Sequence, residues 1–178
     1  MPVTQTAFAP VRSIFHVGFV VTDLDRAIDF YCRGLGLELR HRQVQDNAYT
    51  RSLVDYDDAL LEIAQLRFPN TPPPPSGHVI ELIRYRQPPG KDADRERNTT
   101  AAGHIGFVVD EVDPLAARLV DMGATMLNKP VDITAGINRG GRLVYLQDPD
   151  GITVELVQLP PRSGASSART DATIGGGA

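Results

Sequence analysis

His16-Val-Gly-Phe-Val-Val-Thr-Asp-Leu-Asp25 returns later in the chain as His104-Ile-Gly-Phe-Val-Val-Asp-Glu-Val-Asp113. The histidine, the glycine, the phenylalanine, two valines and the final aspartate are identical in the two phrases. Self-similarity of this length marks two copies of one supersecondary unit, each unable to bury its apolar face alone. A second match closes each copy: Val79-Ile-Glu81-Leu-Ile83 answers to Thr153-Val-Glu155-Leu-Val157. Each unit therefore runs from a strand that carries a histidine to a strand that carries a glutamate. Pairing the units brings two imidazoles and two carboxylates within reach of one place.

Composition narrows the class. With 178 residues, 42% of them hydrophobic, the chain can bury one core shared by two half-domains. A formal charge of −4 gives no basic field to gather phosphates, so nucleic acid is not an expected partner. The single Cys32 excludes an intramolecular disulfide framework, suits a reducing compartment, and reads as a structural thiol because no motif surrounds it. The opening residues have no basic n-region and no apolar run, and no later stretch is long enough to span a bilayer. A soluble, cytoplasmic protein with no membrane partner is the expectation.

Along the chain, residues 1–12 read as a loose arm and 13–86 as the first module. Ser13 to Val21 is apolar and β-branched, which suits a strand buried on both faces. Thr22 or Asp23 can cap a helix that runs through Ile28 and Tyr31 to the Gly34-Leu-Gly36 turn. Strands are expected over 37–45, 59–68 and 78–85, with the proline-rich stretch 69–77 as a stiff loop. A polar linker, 87–101, leads to the second module, 102–159. There the pattern predicts a strand at 103–110, a helix from Asp113 to Met122 that stops at Gly123, and strands near 125–132, 141–147 and 152–158. The tail, 160–178, has no apolar pattern and reads as disordered.

A βαβββ unit given twice, with histidine on its first strand and glutamate on its last, resembles the vicinal oxygen chelate superfamily. That superfamily includes glyoxalase I, methylmalonyl-CoA epimerase, extradiol dioxygenases and bleomycin resistance proteins. Two phrases carry the likeness: Asp23-Leu-Asp-Arg-Ala-Ile-Asp-Phe-Tyr31 followed by Gly34-Leu-Gly36, and Asp148-Pro-Asp-Gly151-Ile-Thr-Val-Glu155-Leu. The resemblance implies an α+β fold in which two βαβββ modules pair into a curved mixed sheet. It also implies a divalent metal ion held by His16, Glu81, His104 and Glu155. Two imidazoles and two carboxylates suit Zn, Ni, Co, Mn or Fe, and four ligands leave two octahedral positions open for adjacent substrate oxygens. A lone histidine in an apolar strand is ordinarily a hydrogen-bonded core residue, and a lone buried glutamate is costly. Four such residues at repeat-equivalent places are harder to explain that way.

Three chemistries compete on this scaffold. Glyoxalase I resembles the chain in its ligand set. Its family pattern, however, places glutathione-serving arginine and asparagine residues where this chain has Val20 and Tyr85. Extradiol dioxygenases share Tyr145 through Glu155, but their signature needs a histidine where Gly136, Ile137 and Asn138 stand. The favoured expectation is a lyase or isomerase that moves a proton beside a metal-bound carbonyl of a small substrate, with Glu155 as first choice of base and Glu81 as second. A ring-cleaving dioxygenase is the alternative, and a non-catalytic binding or resistance protein the rival from another class. Strand parity puts Val20, Ile83, Tyr85, Val108, Thr153 and Val157 on the ligand-bearing faces. His41 and His78 read as surface residues or as residues that support the ligands from behind, and Tyr145 as a packing group ahead of a catalytic one. Arg51, Arg84, Arg139 and Arg142 are available to an anionic substrate. A homodimer is expected, with each site either inside one chain or shared between two.

Overall fold

The computed structural model describes residues 11–72, 78–91 and 98–161, and the elements it contains repeat as the sequence does. In module 1 they are β1 (Val17–Val20), α1 (Leu24–Asp29), β2 (Glu38–Gln45), α2 (Ala48–Val54), β3 (Leu60–Arg67) and β4 (Val79–Gln87). In module 2 they are β5 (His104–Val108), α3 (Val112–Asp121), β6 (Thr125–Met126), β7 (Val131–Asp132), β8 (Arg142–Gln147) and β9 (Thr153–Gln158). The expected arm up to residue 10, part of the proline-rich loop (73–77), part of the linker (92–97) and the tail from 162 lie outside the described residues.

Each module makes its own mixed sheet, in the order β1-β4-β3-β2 and β5-β9-β8-β6, with β7 also paired to β8. β1 runs parallel to β4 with Gly18 opposite Glu81, and β5 runs parallel to β9 with Gly106 opposite Glu155. The α+β class is therefore as expected, but within the chain the two sheets stay separate.

Helix starts follow their caps. The Asp23 side chain accepts from Arg26 N and opens α1, which continues through a π-helical turn, Phe30–Gly34. The helix α2 has no counterpart in the sequence reading. Asn47 caps it by accepting from Thr50 N at 2.9 Å, and it ends at Asp55 in a left-handed conformation, φ 58°.

One core joins the modules. Leu24, Ala27, Phe30 and Tyr31 of the first helical segment meet Val112, Ala116 and Leu119 of α3 between the helix-facing sides of the sheets. Those sides contribute Ala64, Leu66, Ile80 and Leu82 from one sheet and Val144, Leu146, Val154 and Leu156 from the other. Because side chains alternate along a strand, the intervening residues Glu81, Ile83, Glu155 and Val157 face away from this core. Cys32 packs half-buried against it, and burial raises its thiol pKa, in keeping with a structural thiol.

The turn Asp148–Gly151 fastens module 2 to α1. Asp148 Oδ1 accepts from the amides of Asp150 (2.9 Å) and Ile152 (2.8 Å), while its Oδ2 accepts from Tyr31 OH at 3.0 Å. Asp150 Oδ1 accepts from Thr22 N and Arg26 Nη2, both at 2.9 Å. Burial raises the Asp148 carboxyl pKa, and burial beside Asp148 raises the Tyr31 phenol pKa well above its usual range.

One expectation fails here. β1 was expected to be buried on both faces, yet Val17 is 40% and Val20 52% exposed. The reason is topological: β1 and β5 are the terminal strands of their sheets, each paired on one side only.

Candidate metal centre

The strands place the four anticipated ligands in two matched pairs. His16 directly precedes β1 and faces Glu81 of β4, with Nε2 and Oε2 3.7 Å apart. His104 opens β5 and faces Glu155 of β9, with Nε2 and Oε2 3.3 Å apart. The glutamates are the more enclosed partners: side-chain exposure is 34% and 14% for the first pair, 50% and 18% for the second. Each imidazole thus stands at the rim of its sheet with a carboxylate behind it.

The pairs do not meet within one chain. Among the described residues, no three His, Cys, Asp or Glu side chains are grouped closely enough to hold a metal ion. The expected convergence of all four is not seen within the chain: the residues form two separate pairs, each on the outer face of its own sheet.

The donor set and its spacing suit a metal. Donors held about 2.1 Å from one ion at tetrahedral or octahedral angles stand roughly 3.0–3.4 Å apart; the His104–Glu155 pair at 3.3 Å falls in that range and the His16–Glu81 pair at 3.7 Å lies just outside it. Neutral imidazole nitrogen with carboxylate oxygen is chemistry that binds first-row divalent ions.

The residues around the pairs differ. Gln65 of β3 lies opposite Glu81 and donates from Nε2 to Glu81 Oε1 at 3.0 Å. At the equivalent place in module 2, Tyr145 of β8 lies opposite Glu155, its ring edge-on to the His104 ring at 5.4 Å and 87°. A Cβ on Gly106 would stand 3.4 Å from Glu155 Oε2, so this glycine makes room for the carboxylate. Sequence reasoning missed Gln65, because its partnership with Glu81 depends on strand register.

Other anticipated residues fall as follows. Tyr85 stacks edge-on against Tyr56 at 6.2 Å. With Val20, Thr153 and His104 it borders a cleft of about 800 Å³ between the β1 and β5 edges. The linker residues Pro89, Gly90 and Lys91 also border that cleft. Arg51, Arg84 and Arg142 are held in ion pairs with Asp46, Glu62 and Asp113. His41 is exposed, 3.3 Å from Gln43 Oε1, and His78 is exposed with its ring edge-on to Phe68.

Comparisons with known proteins agree with the fold. The family model "Glyoxalase/Bleomycin resistance protein/Dioxygenase superfamily" matches residues 13–156. A 2-epi-5-epi-valiolone epimerase from Actinomyces is 36% identical over 83% of this chain and 80% of its own length. A probable lactoylglutathione lyase from Vibrio cholerae is 28% identical over 82% of this chain and 89% of its own. Among solved structures, a glyoxalase family protein from Bacillus cereus superposes with a TM-score of 0.74 at 25% identity, covering 87% of this chain and 99% of that one.

Proposed function

The chain belongs to the glyoxalase/bleomycin resistance protein/dioxygenase superfamily, and from that premise we propose a divalent-metal-dependent isomerase or lyase that moves a proton on the carbon beside a carbonyl group. The observation that carries this reading is the pair of matched imidazole–carboxylate sets, His16 with Glu81 and His104 with Glu155, at repeat-equivalent positions and at ligand-like separations. A similar protein named as an epimerase, and others named as lactoylglutathione lyases, support the lyase and isomerase side over oxygen chemistry.

Because the pairs face outward on separate sheets, the reading requires a second copy. His16 and Glu81 of one chain join His104 and Glu155 of another, and the reciprocal pairs form a second site in a homodimer. Exposed apolar side chains on the ligand faces of the same strands support this assembly: Val20 on β1 and Val108 on β5.

When bound, the ion supplies a Lewis acid that polarises the substrate carbonyl and stabilises the charge that develops on its oxygen. Two of the four residues, His16 and His104, act only as ligands. Glu155 takes the proton from the carbon beside the carbonyl and delivers it to the former carbonyl carbon, while the neighbouring hydroxyl proton passes to the carbonyl oxygen, which completes an isomerisation. The surroundings are apolar, with Ile83, Val108 and Val157 on the ligand faces, and this strengthens the electrostatics of that step. Val20 and Tyr85 offer no cation or amide to a glutathione moiety, which favours a small carbonyl substrate over a glutathione adduct.

A complementation experiment tests the reading. His16→Ala and His104→Ala chains are each inactive, but mixing them regenerates one intact site per mixed dimer. The readouts are bound transition metal and deuterium exchange from solvent into hydroxy ketones. Purified protein free of transition metal, or oxygen uptake with catechols in place of exchange, would falsify the proposal. Failure of the mixture to recover sites, with wild-type metal binding intact, would reject the shared-site assembly.

A further inference from the structure

The two glutamates are treated alike by the repeat and differently by their neighbours. Glu81 Oε1 accepts a 3.0 Å hydrogen bond from Gln65 Nε2. Glu155 has no side-chain hydrogen-bond donor among the described residues apart from the His104 imidazole, and its Oε2 lies over the bare backbone of Gly106. One carboxylate is tethered and the other has room to move.

The tether is itself oriented. Gln65 Oε1 is 3.5 Å from Arg40 Nη1, a long contact from an exposed guanidinium. A guanidinium only donates and a carboxylate only accepts, so the Gln65 amide has one sensible orientation between them: oxygen to Arg40, nitrogen to Glu81. Arg40 reaches this face through an irregularity in the ladder. Leu39 pairs with Leu66 and His41 with Gln65, which leaves Arg40 as the extra residue of a β-bulge. Bulges beside functional sites re-aim a side chain that regular alternation would direct elsewhere.

We propose that Gln65, oriented by Arg40 on the β2 bulge, is a positioning residue that fixes Glu81 as a permanent metal ligand and leaves Glu155 as the carboxylate free to carry the proton. This rests on the metal-site reading above. Its physical basis is that a metal ligand oriented by an outer hydrogen bond loses less freedom on binding and cannot easily swing away. Module 2 has an aromatic ring, Tyr145, at the place where module 1 has this amide, so the asymmetry lies in two facing strand positions.

The test uses the full-length protein, stripped of metal and titrated with Co2+ against a chromophoric chelator while the visible ligand-field absorption is recorded. Gln65→Met removes the donor and keeps the side-chain length. It is expected to weaken Co2+ binding about 10- to 100-fold and to change the absorption bands, with the metal-free melting temperature unchanged. Arg40→Met, an exposed substitution that serves as the test if Gln65→Met fails to fold, is expected to weaken binding a few-fold in the same direction. Gln65→Met protein that binds Co2+ as tightly as wild type with the same bands overturns the positioning role and leaves the metal site standing. So does a loss of affinity matched by a fall in metal-free melting temperature, which marks a merely structural hydrogen bond. Wild-type protein that fails to bind Co2+, or binds it unchanged after His16→Ala, overturns the underlying site.

Discussion

At the scale of single residues, the repeat-equivalent glycines Gly18 and Gly106 separate the two half-sites. A methyl group on Gly106 would stand 3.4 Å from Glu155 Oε2, at the near limit of ordinary contact, whereas one on Gly18 would meet only Ile83 Cδ1 at 3.8 Å. Gly106→Ala is therefore expected to reduce proton exchange and Co2+ affinity several-fold, and Gly18→Ala to leave both near wild type. Equal effects at the two positions in parallel titrations would contradict the space argument. The four candidate ligands were legible in the chain because the repeat displays them twice, in the same company of apolar residues. Gln65 and Arg40 were not, since a cross-strand partner is defined by hairpin register, and the proline-rich insertion before β4 conceals that register in the sequence. Tyr145 was read as packing ahead of catalysis, and its ring packs edge-on against a candidate ligand, His104.

At the scale of elements, the Asp148–Gly151 turn is the joint between modules, held to α1 by buried polar groups. Tyr31→Phe leaves Asp148 Oδ2 without its phenolic donor, and the expected loss is about 1–3 kcal/mol in urea denaturation. Asp148 also links stability to pH. Its carboxyl is raised in the folded state, chiefly by burial, so its contribution to stability is fully present below the unfolded carboxyl pKa and is lost as pH rises through the folded value. Asp148→Asn removes that titration while keeping an oxygen for the two backbone amides. The variant should therefore compare more favourably with wild type at pH 7 than at pH 4, and a pH-independent difference would count against the assignment. This turn was legible as a motif, but its role as a joint was not, because the residues it grips lie in the other module. The short α2 escaped notice for another reason: its apolar residues, Tyr49 and Leu53, point outward and give no core-facing stripe.

At the scale of the whole molecule, two sheets share one core through their helix sides and present their ligand faces outward. The sequence displayed two modules clearly, yet it could not say whether they face each other. An apolar strand at the end of a sheet has the same composition as one flanked on both sides, which is why β1 was expected inside. In the proposed dimer, burial of these faces couples folding to association, so the melting temperature should rise with protein concentration and with added Co2+. A melting temperature independent of both would argue for a self-sufficient single chain. The open edges carry one more consequence. Because β1 and β5 are different surfaces that would be satisfied by each other's counterparts in a neighbouring copy, the same contact that closes a ring of two can also be passed on from copy to copy. A substitution that tilts one sheet against the other would then turn a closed pair into a growing fibre.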